Sequence, residues 1–347
     1  MIPRYIFNED HDLFRDMVRK FMETEIAPHH AEWEKQGHIS REAWLKAGEQ
    51  GLLCVTMPEE YGGSGVDFGY SVILMEEQAY TYASGPGFSL HTDICAPYIL
   101  HYGSDEMKQK YLPRMATGEL ISAIAMTEPG TGSDLQGVRT TAVKEGDHYI
   151  LNGSKTFITN GYMSDIVIVV AKTDLHAGAA GTSLFLVETA SEGFSKNPPL
   201  QKIGMKAQDT CEMFMDNVKV PAENLIGQEG MGFMYLMQEL PQERLLIAIV
   251  AIAAAQQVLK DTIRYTKERE AFGRQIFKFQ NTRFKLAEYT ARLEMAQAYL
   301  DRCIELHLKG ELDVPSAAAC KLVCSDLQCE LIDECLQLHG GYGYIWD

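Results

Sequence analysis

Residues 140–161, TTAVKEGDHYILNGSKTFITNG, decide the fold. Apolar and polar residues alternate there with a period of two, and the turn formers EGD and NG interrupt the alternation. Successive side chains of a strand point to opposite faces, so the pattern reads as antiparallel hairpins. Short apolar runs continue it on both sides: ISAIAM, DIVIVVAKT, TSLFLVET and CEMFMDNVKVP. Together they define a strand zone over about residues 121–228. No helical period lies between the strands, which argues against a doubly wound parallel sheet.

Outward from this zone the period becomes helical. In HDLFRDMVRKFMETEIAPHH, Leu13, Phe14, Met17, Val18, Phe21 and Ile26 fall near helical spacing, and Pro28 ends the run. MPEEYGGSG is loop by its Pro and Gly content. Further helices are predicted at YSVILMEEQAY and at DEMKQKYLPRMATG, the second capped by Ser104 or Asp105 and closed by Gly118. After GQEGMGF, helical periods run over about 230–265, 280–308 and 315–339, with connections short enough for a bundle. Length alone suggests about two domains for 347 residues. The zones instead divide the chain as 1–120 (helical), 121–228 (strands) and 229–347 (helical): an α+β protein.

Composition narrows the function classes. With 46% hydrophobic and 23% charged residues the chain is globular. Its 31 basic and 48 acidic residues leave a net charge of −17, which repels phosphate backbones, so nucleic acid is not an expected partner. An anionic ligand must therefore be held by local donors. The longest uninterrupted apolar run, Leu245–Ala255, is too short to span a bilayer, which takes about 20 residues. No integral membrane segment is expected. The N-terminus has the features of neither a signal nor a transit peptide. Eight cysteines without a CxxC pair read as free thiols in a reducing compartment. Cys320 and Cys324, i and i+4 on a predicted helix, have the alternative reading of two metal ligands, but no metal is expected.

Five segments carry candidate chemistry. MTEPGTGSD (126–134) is a tight loop exposing N–H groups and hydroxyls, able to approach a phosphate or a flat ring. It is not a GxGxxG turn, because no βαβ unit surrounds it. KTFITNG (155–161) puts Phe157 and Thr159 on one face, alternating with Ile158. REAFGRQ (269–275), followed by Gln280, offers Arg269, whose fork suits pyrophosphate. QLHGGYGY (337–344) holds more glycine than a helix C-cap needs, so a ligand or another subunit can approach closely. ELPQERL (239–245) leads into an apolar helix. A carboxylate at the edge of an apolar pocket can have its pKa raised and act as a base. Each segment alone also reads as ordinary structure: a turn, a strand residue, a solvated helix end, a cap, or acidic charge stabilising a helix N-terminus.

Order and spacing make the set specific. MTEPGTGSD, KTFITNG, KIGMKAQDT (202–210), REAFGRQI (269–276) and QLHGGYGY together resemble the acyl-CoA dehydrogenase family of flavoproteins over essentially the whole chain. GFSLHTD, LKAGEQGLL and ELPQERLLIA look most like its long-chain branch. The resemblance implies an N-terminal helical domain, a middle antiparallel β-barrel domain and a C-terminal four-helix bundle. It also implies one FAD per subunit and a homotetramer built as a pair of dimers. Family members run a few tens of residues further, so the bundle is expected to be C-terminally truncated here.

By the same resemblance, Ile124, Met126, Thr127 and Ser133 line the flavin, and Phe157 and Thr159 flank its ring. Many relatives carry Trp at the position of Phe157. Arg269, Phe272 and Gln280 grip the pyrophosphate and adenosine region of an FAD shared across the dimer. Gln337, Gly340 and Gly341 contact the adenosine end from the neighbouring subunit. Ser133, Tyr235, Gln242 and Arg244 belong to the substrate side. Most relatives carry the catalytic base near the C-terminus, in a segment beyond Asp347. The long-chain and isovaleryl branches place it immediately before an Arg on the bundle helix, which here is Glu243 before Arg244. Glu239, one turn earlier, is the internal alternative.

The implied reaction is α,β-dehydrogenation of an acyl-CoA thioester in fatty-acid β-oxidation. Glu243 takes the α proton, the β hydrogen leaves as hydride to the flavin, and an electron-transfer flavoprotein accepts the electrons. The thioester carbonyl is polarised by a flavin hydroxyl and the Glu243 backbone N–H. The alternatives are an acyl-CoA oxidase using O₂, which this length disfavours, a non-catalytic acyl-CoA-binding scaffold, and a flavin monooxygenase. The expected location is cytoplasmic for a bacterial protein, or the mitochondrial matrix for a processed eukaryotic form.

Overall fold

In the computed structural model, which describes residues 3–345, the strand zone forms one eight-stranded sheet. Its strands are β1 (Ser122–Ala125), β2 (Thr141–Glu145), β3 (His148–Thr159), β4 (Ile166–Lys172), β5 (Thr182–Glu188), β6 (Phe194–Lys196), β7 (Thr210–Pro221) and β8 (Leu225–Ile226). They run in the order β6-β7-β3-β2-β4-β5-β8, with β1 beside β4. Most neighbours are antiparallel, as the hairpin pattern predicts. The exceptions are β1 with β4, and the single Thr141–Lys172 pairing of β2 with β4, which are parallel. The β2–β3 hairpin lies between β1 and β4 in the chain and lets β4 return in the direction of β1. Side-chain alternation carries no information on strand direction, so this pairing was not legible beforehand.

The sheet sits in a compact unit of residues 21–71 and 83–240. Two helices of this unit, α5 (Ala96–Tyr102) and α6 (Asp105–Ala116), follow α1 (Glu9–Phe21), α2 (His30–Gln36), α3 (Arg41–Glu49) and α4 (Phe68–Tyr80) along the chain. Every residue of β4 is buried. Ile166, Ile168 and Val170 pack with Tyr98, Ile99, Tyr111, Leu112 and Met115 of α5 and α6. Val167, Val169 and Ala171 pack on the other side with Tyr149, Leu151, Ile158, Met213 and Phe185. A strand covered on both faces reads as a continuous apolar run, which explains the sequence IVIVVA. Of the two candidate caps of α6, Ser104 is the one used, accepting from the Met107 N–H at 3.2 Å.

His91 joins helix to sheet inside this unit. It lies on a π-helical turn, Leu90–Cys95, that the sequence did not reveal. Its Nε2 bonds the Met115 carbonyl at 3.0 Å, and its Nδ1 accepts from the Ser122 N–H at 3.1 Å. Burial pushes its pKa down to about 4, so the ring is neutral at physiological pH.

The second compact unit gathers residues up to 20, 72–82 and from 241 onward. It holds most of α7 (Gly232–Glu268), with α8 (Gln280–Leu308) and α9 (Val314–His339). Leu245, Leu246, Ala248, Ile249, Ile252 and Ala255 of α7 are buried, as are Leu293, Leu300 and Ile304 of α8. By length and composition α7 is apolar enough to cross a membrane, which a count of uninterrupted apolar residues missed because Gln256 breaks the run. Half of its apolar window is buried inside the protein, as in the core helix of a bundle. All eight cysteines are free, and Cys320 and Cys324 are buried in α9. Among the described residues no group of three His, Cys, Asp or Glu side chains is arranged to hold a metal ion.

A polar chain threads this unit. Tyr80 donates to Gln256 (3.1 Å), Gln256 to Gln297 (2.8 Å) and Gln297 to Asp301 (2.8 Å). Arg4 grips Asp301 through Nε (2.9 Å) and Nη2 (2.8 Å) and reaches Glu76 at 2.6 Å. Arg15 bridges Glu76 (2.8 Å) and Glu77 (2.9 Å). The chain thus ties the N-terminal segment to α4 and α8. Removing one member of a buried pair strands the other charge, at a cost of about 3 kcal/mol or more. Glu76→Ala is expected to lower the free energy of unfolding by about that amount, measured by urea unfolding followed by circular dichroism.

Candidate functional site

The loop after β1 is built around a buried carboxylate. Glu128 and Thr131 exchange backbone hydrogen bonds at 2.9 and 3.0 Å, closing a tight turn. The Glu128 side chain points inward and is 8% exposed. Its Oε1 accepts from Lys155 Nζ (2.8 Å), Thr140 Oγ1 (2.6 Å) and the Thr140 N–H (2.9 Å), and its Oε2 from the Arg139 N–H (2.8 Å). Lys155 Nζ also donates to the Met126 carbonyl at 3.1 Å. Burial lowers the Lys155 pKa to about 8, still above neutrality. Burial raises that of Glu128, but the Lys155 ammonium and the hydrogen bonds outweigh it and hold the carboxyl below its usual range. The pair is therefore ionised at pH 7.

This brace sets Met126 and Thr127 beside the end of β3. The Thr156 N–H donates to the Thr127 carbonyl at 2.9 Å. The register of β3 against β7 shifts between Lys155 and Ile158. At that bulge Phe157 adopts a left-handed φ of +59° and is 66% exposed, while Ile158 is buried. A bulky side chain in this backbone region is strained, and such strain persists only where the surroundings impose it. Thr159, on the other side of the buried Ile158, is half-buried. Asn160 ties off the strand end, its Nδ2 donating to the Gly87 carbonyl at 2.9 Å and its N–H to the Asp209 carbonyl at 3.1 Å. Ile124 and Met126 pack against the helical side of the sheet core. Ser133 lies exposed at the far end of the loop.

In the helical unit, Arg269, Phe272, Gln337, Gly340 and Gly341 converge on one cavity of about 690 Å³, inside the range of ligand pockets. Phe272 is carried at the tip of the hairpin β9 (Glu270–Ala271) to β10 (Arg274–Gln275). Phe272 and Gly273 have φ of +53° and +73°, the signs a type I′ turn requires. The Arg269 guanidinium lies 5.8 Å from the centre of the Tyr342 ring. Tyr265 and His339, which sequence reasoning missed, form an aromatic wall: their rings stack at 4.3 Å and 15°. A Cβ added at Gly340 would meet open space rather than protein. Gln280, by contrast, begins α8 and does not line the cavity.

On α7 the two candidate carboxylates part company. Glu239 is 8% exposed and accepts hydrogen bonds from Tyr102 OH and His101 Nδ1, both at 2.8 Å. Gln242, Glu243 and Arg244 follow on the helix and are each partly buried. Glu243 lies well inside α7, where backbone N–H groups are spent on carbonyls four residues back. That corrects one expectation: its N–H is not free to polarise a substrate carbonyl. Tyr235 stacks on Tyr102 at 4.1 Å and lies within the helix.

Family models of the acyl-CoA dehydrogenase N-terminal, middle and C-terminal domains match residues 8–119, 123–218 and 230–347. The long-chain specific mitochondrial acyl-CoA dehydrogenase of Sus scrofa is 52% identical over 99% of this chain and 80% of its own length. An acyl-CoA dehydrogenase structure from Geobacillus kaustophilus superposes with a TM-score of 0.98 at 47% identity, covering 99% of this chain and 91% of that one. A glutaryl-CoA dehydrogenase from Mycobacterium smegmatis, solved in complex with FADH2, matches at a TM-score of 0.91 and 29% identity, covering 98% and 87%.

Lys155→Met leaves the Glu128 carboxylate buried without its counter-ion, an expected loss of about 3 kcal/mol. The folded-state pKa of Glu128 is depressed. Its contribution is therefore present above the ordinary carboxylate pKa of 4.5 and lost as pH falls through the depressed value. The stability gap between wild type and Lys155→Met should be widest above pH 4.5 and narrow below it. Thermal unfolding from pH 7 to pH 3 checks this.

Proposed function

The chain belongs to the acyl-CoA dehydrogenase family, and on that premise we propose that it oxidises long-chain acyl-CoA thioesters to trans-2-enoyl-CoA. The single observation that carries this reading is the Lys155–Glu128 brace, which holds Met126 and Thr127 beside the strand end that carries Thr159 and the exposed, strained Phe157.

The residues present fit FAD, the cofactor of the family. The helical unit offers a cation at Arg269, an amide at Gln337, the Tyr265–His339 stack, and glycines whose missing side chains leave space. A guanidinium suits pyrophosphate and an aromatic pair suits a purine. In our reading Arg269, Phe272, Gln337, Gly340 and Gly341 hold the dinucleotide end, with Gln280 in a supporting place at the start of α8. Ile124, Met126, Thr127, Ser133, Phe157 and Thr159 hold the flavin end. When bound, FAD supplies the hydride acceptor for the β hydrogen.

The protein's own part is acid–base and positional. Glu243 takes the substrate's α proton onto its carboxylate. Glu239 is the weaker candidate, since it stands before Leu240 and Pro241 and not immediately before an Arg. Ser133, Tyr235, Gln242 and Arg244 orient the thioester, and exclusion of water protects the acidified α carbon. We assign electron-transfer flavoprotein as the electron acceptor and a homotetramer, a pair of dimers, as the working assembly. The enzyme would work in the cytoplasm of a bacterium or, as a processed form, in the mitochondrial matrix.

Glu243→Gln should keep the yellow of bound FAD yet slow anaerobic bleaching by acyl-CoA by about 10²–10⁴-fold, the usual worth of a general base. Bleaching at the wild-type rate would sink the assignment. A panel of straight and branched acyl-CoAs, scored by bleaching under argon, should peak among long straight chains. Peroxide in place of electron transfer to the flavoprotein would make the enzyme an oxidase.

A further inference from the structure

The reading of Glu243 as the base leaves Glu239 without a role, although it is among the most enclosed carboxylates of the chain. It is 8% exposed, on the third turn of a helix whose first nine residues belong to the sheet-bearing unit. Burying a carboxylate is costly unless its lone pairs are satisfied. Here they are met from α5: Tyr102 OH and His101 Nδ1 both reach Oε1 at 2.8 Å. Tyr102 OH also lies 3.0 Å from Gln238 Oε1, the preceding residue of α7. Burial and the Glu239 carboxylate push the Tyr102 pKa up, so the phenol stays a donor. Its ring stacks on Tyr235 at 4.1 Å, and Tyr235 OH accepts from the Gln228 N–H at 3.2 Å. The start of α7 is thus fastened to α5 by a polar clamp and an aromatic stack.

The clamp stands next to a weak point. Pro241 lies inside α7. It has no N–H to give to the carbonyl of Met237, and its ring crowds that turn, so the helix lacks the rung between Met237 and Pro241, on the turn that carries Glu239. The chain passes from one compact unit to the other at the same place, between Leu240 and Pro241. Glu239 and Glu243 are i and i+4, on one face of the helix. An anchor on the turn that lacks its rung therefore fixes where the next turn begins. A proton acceptor needs that: a displacement of about 1 Å can lower a rate by about 10²-fold.

We propose that Glu239, clamped by Tyr102 and His101, is a positioning residue that sets the orientation of Glu243 across the break at Pro241. The proposal rests on Glu243 being the base. Its chemistry asks for an acceptor at position 239, not for a proton-transferring carboxylate.

The test uses the FAD-loaded enzyme and three variants: Glu239→Leu, Glu239→Gln and Tyr102→Phe. Each is scored by anaerobic flavin bleaching at saturating acyl-CoA. Binding of trans-2-enoyl-CoA, read from its perturbation of the flavin spectrum, and the unfolding temperature are measured alongside. Glu239→Leu, which removes the acceptor, should bleach about tenfold slower or more, with product affinity within about twofold of wild type. Glu239→Gln keeps an acceptor oxygen and should stay within about threefold. Tyr102→Phe keeps the stack, loses one donor, and should fall between, which preserves the test if the Leu variant does not fold. Wild-type bleaching in both Glu239→Leu and Tyr102→Phe overturns the proposal, and so does a rate loss matched by equal loss of product affinity. An inert Glu239→Gln beside an active Glu243→Gln would make Glu239 the base and overturn the reading of Glu243 as well. An inert Glu243→Gln with normal Glu239 variants would overturn only the positioning role.

Discussion

Lys155 and Glu128 meet inside the sheet-bearing unit at 2.8 Å, and the shape of the site follows from that contact. Two opposite charges taken out of water gain little net stability, because desolvation offsets their attraction. What they gain is definition. Glu128 accepts from Lys155, from the Thr140 hydroxyl and from two successive backbone N–H groups, and an arrangement satisfied that fully has few alternatives. The loop that carries Thr127 is thereby held on the strand that carries Phe157. The strain at Phe157 is tolerated because its neighbours on both sides, Thr156 and Ile158, are buried and fixed.

The brace in turn depends on β4. With apolar side chains packed on both of its faces, β4 forms the common wall of the two halves of the core. β1 pairs with it and delivers the loop at its own C-terminal end. The loop begins where β1 stops, and His91 fastens the opposite end of that strand to α6. A polar residue at any inward position of β4 would have to be satisfied inside the core, which is why this part of the sequence is so uniformly apolar.

The helical unit solves a different problem. A chain with a net charge of −17 must receive an anionic dinucleotide. Its general positive field is small, but Arg269 stands among aromatic rings and glycines at a cavity whose lining comes from segments some seventy residues apart in sequence. Its remaining arginines near the N-terminus are committed to structure: Arg4 and Arg15 are bound to Glu76, Glu77 and Asp301. On the proposed reading, local placement rather than overall charge makes the cavity suited to phosphate.

Sequence alone was enough wherever the cause was local. Residues 280–308 carry a helical period, and α8 occupies that span. The strand zone read from alternation over about 121–228 holds all eight strands of the sheet. Motif order was enough for the family. Tertiary structure decided what depends on partners far away in the chain. Only the folded protein shows that β1 runs parallel to β4, that Leu90–Cys95 widens into a π-helical turn, and that Glu128 is the partner of Lys155. It also separates two carboxylates one helical turn apart, which spacing could not rank. His101 and Tyr102 lie well over a hundred residues before Glu239, and only folding brings their donors within 2.8 Å of its carboxylate. Periodicity reports which face of an element is buried, but which group lies opposite a buried charge is a property of packing.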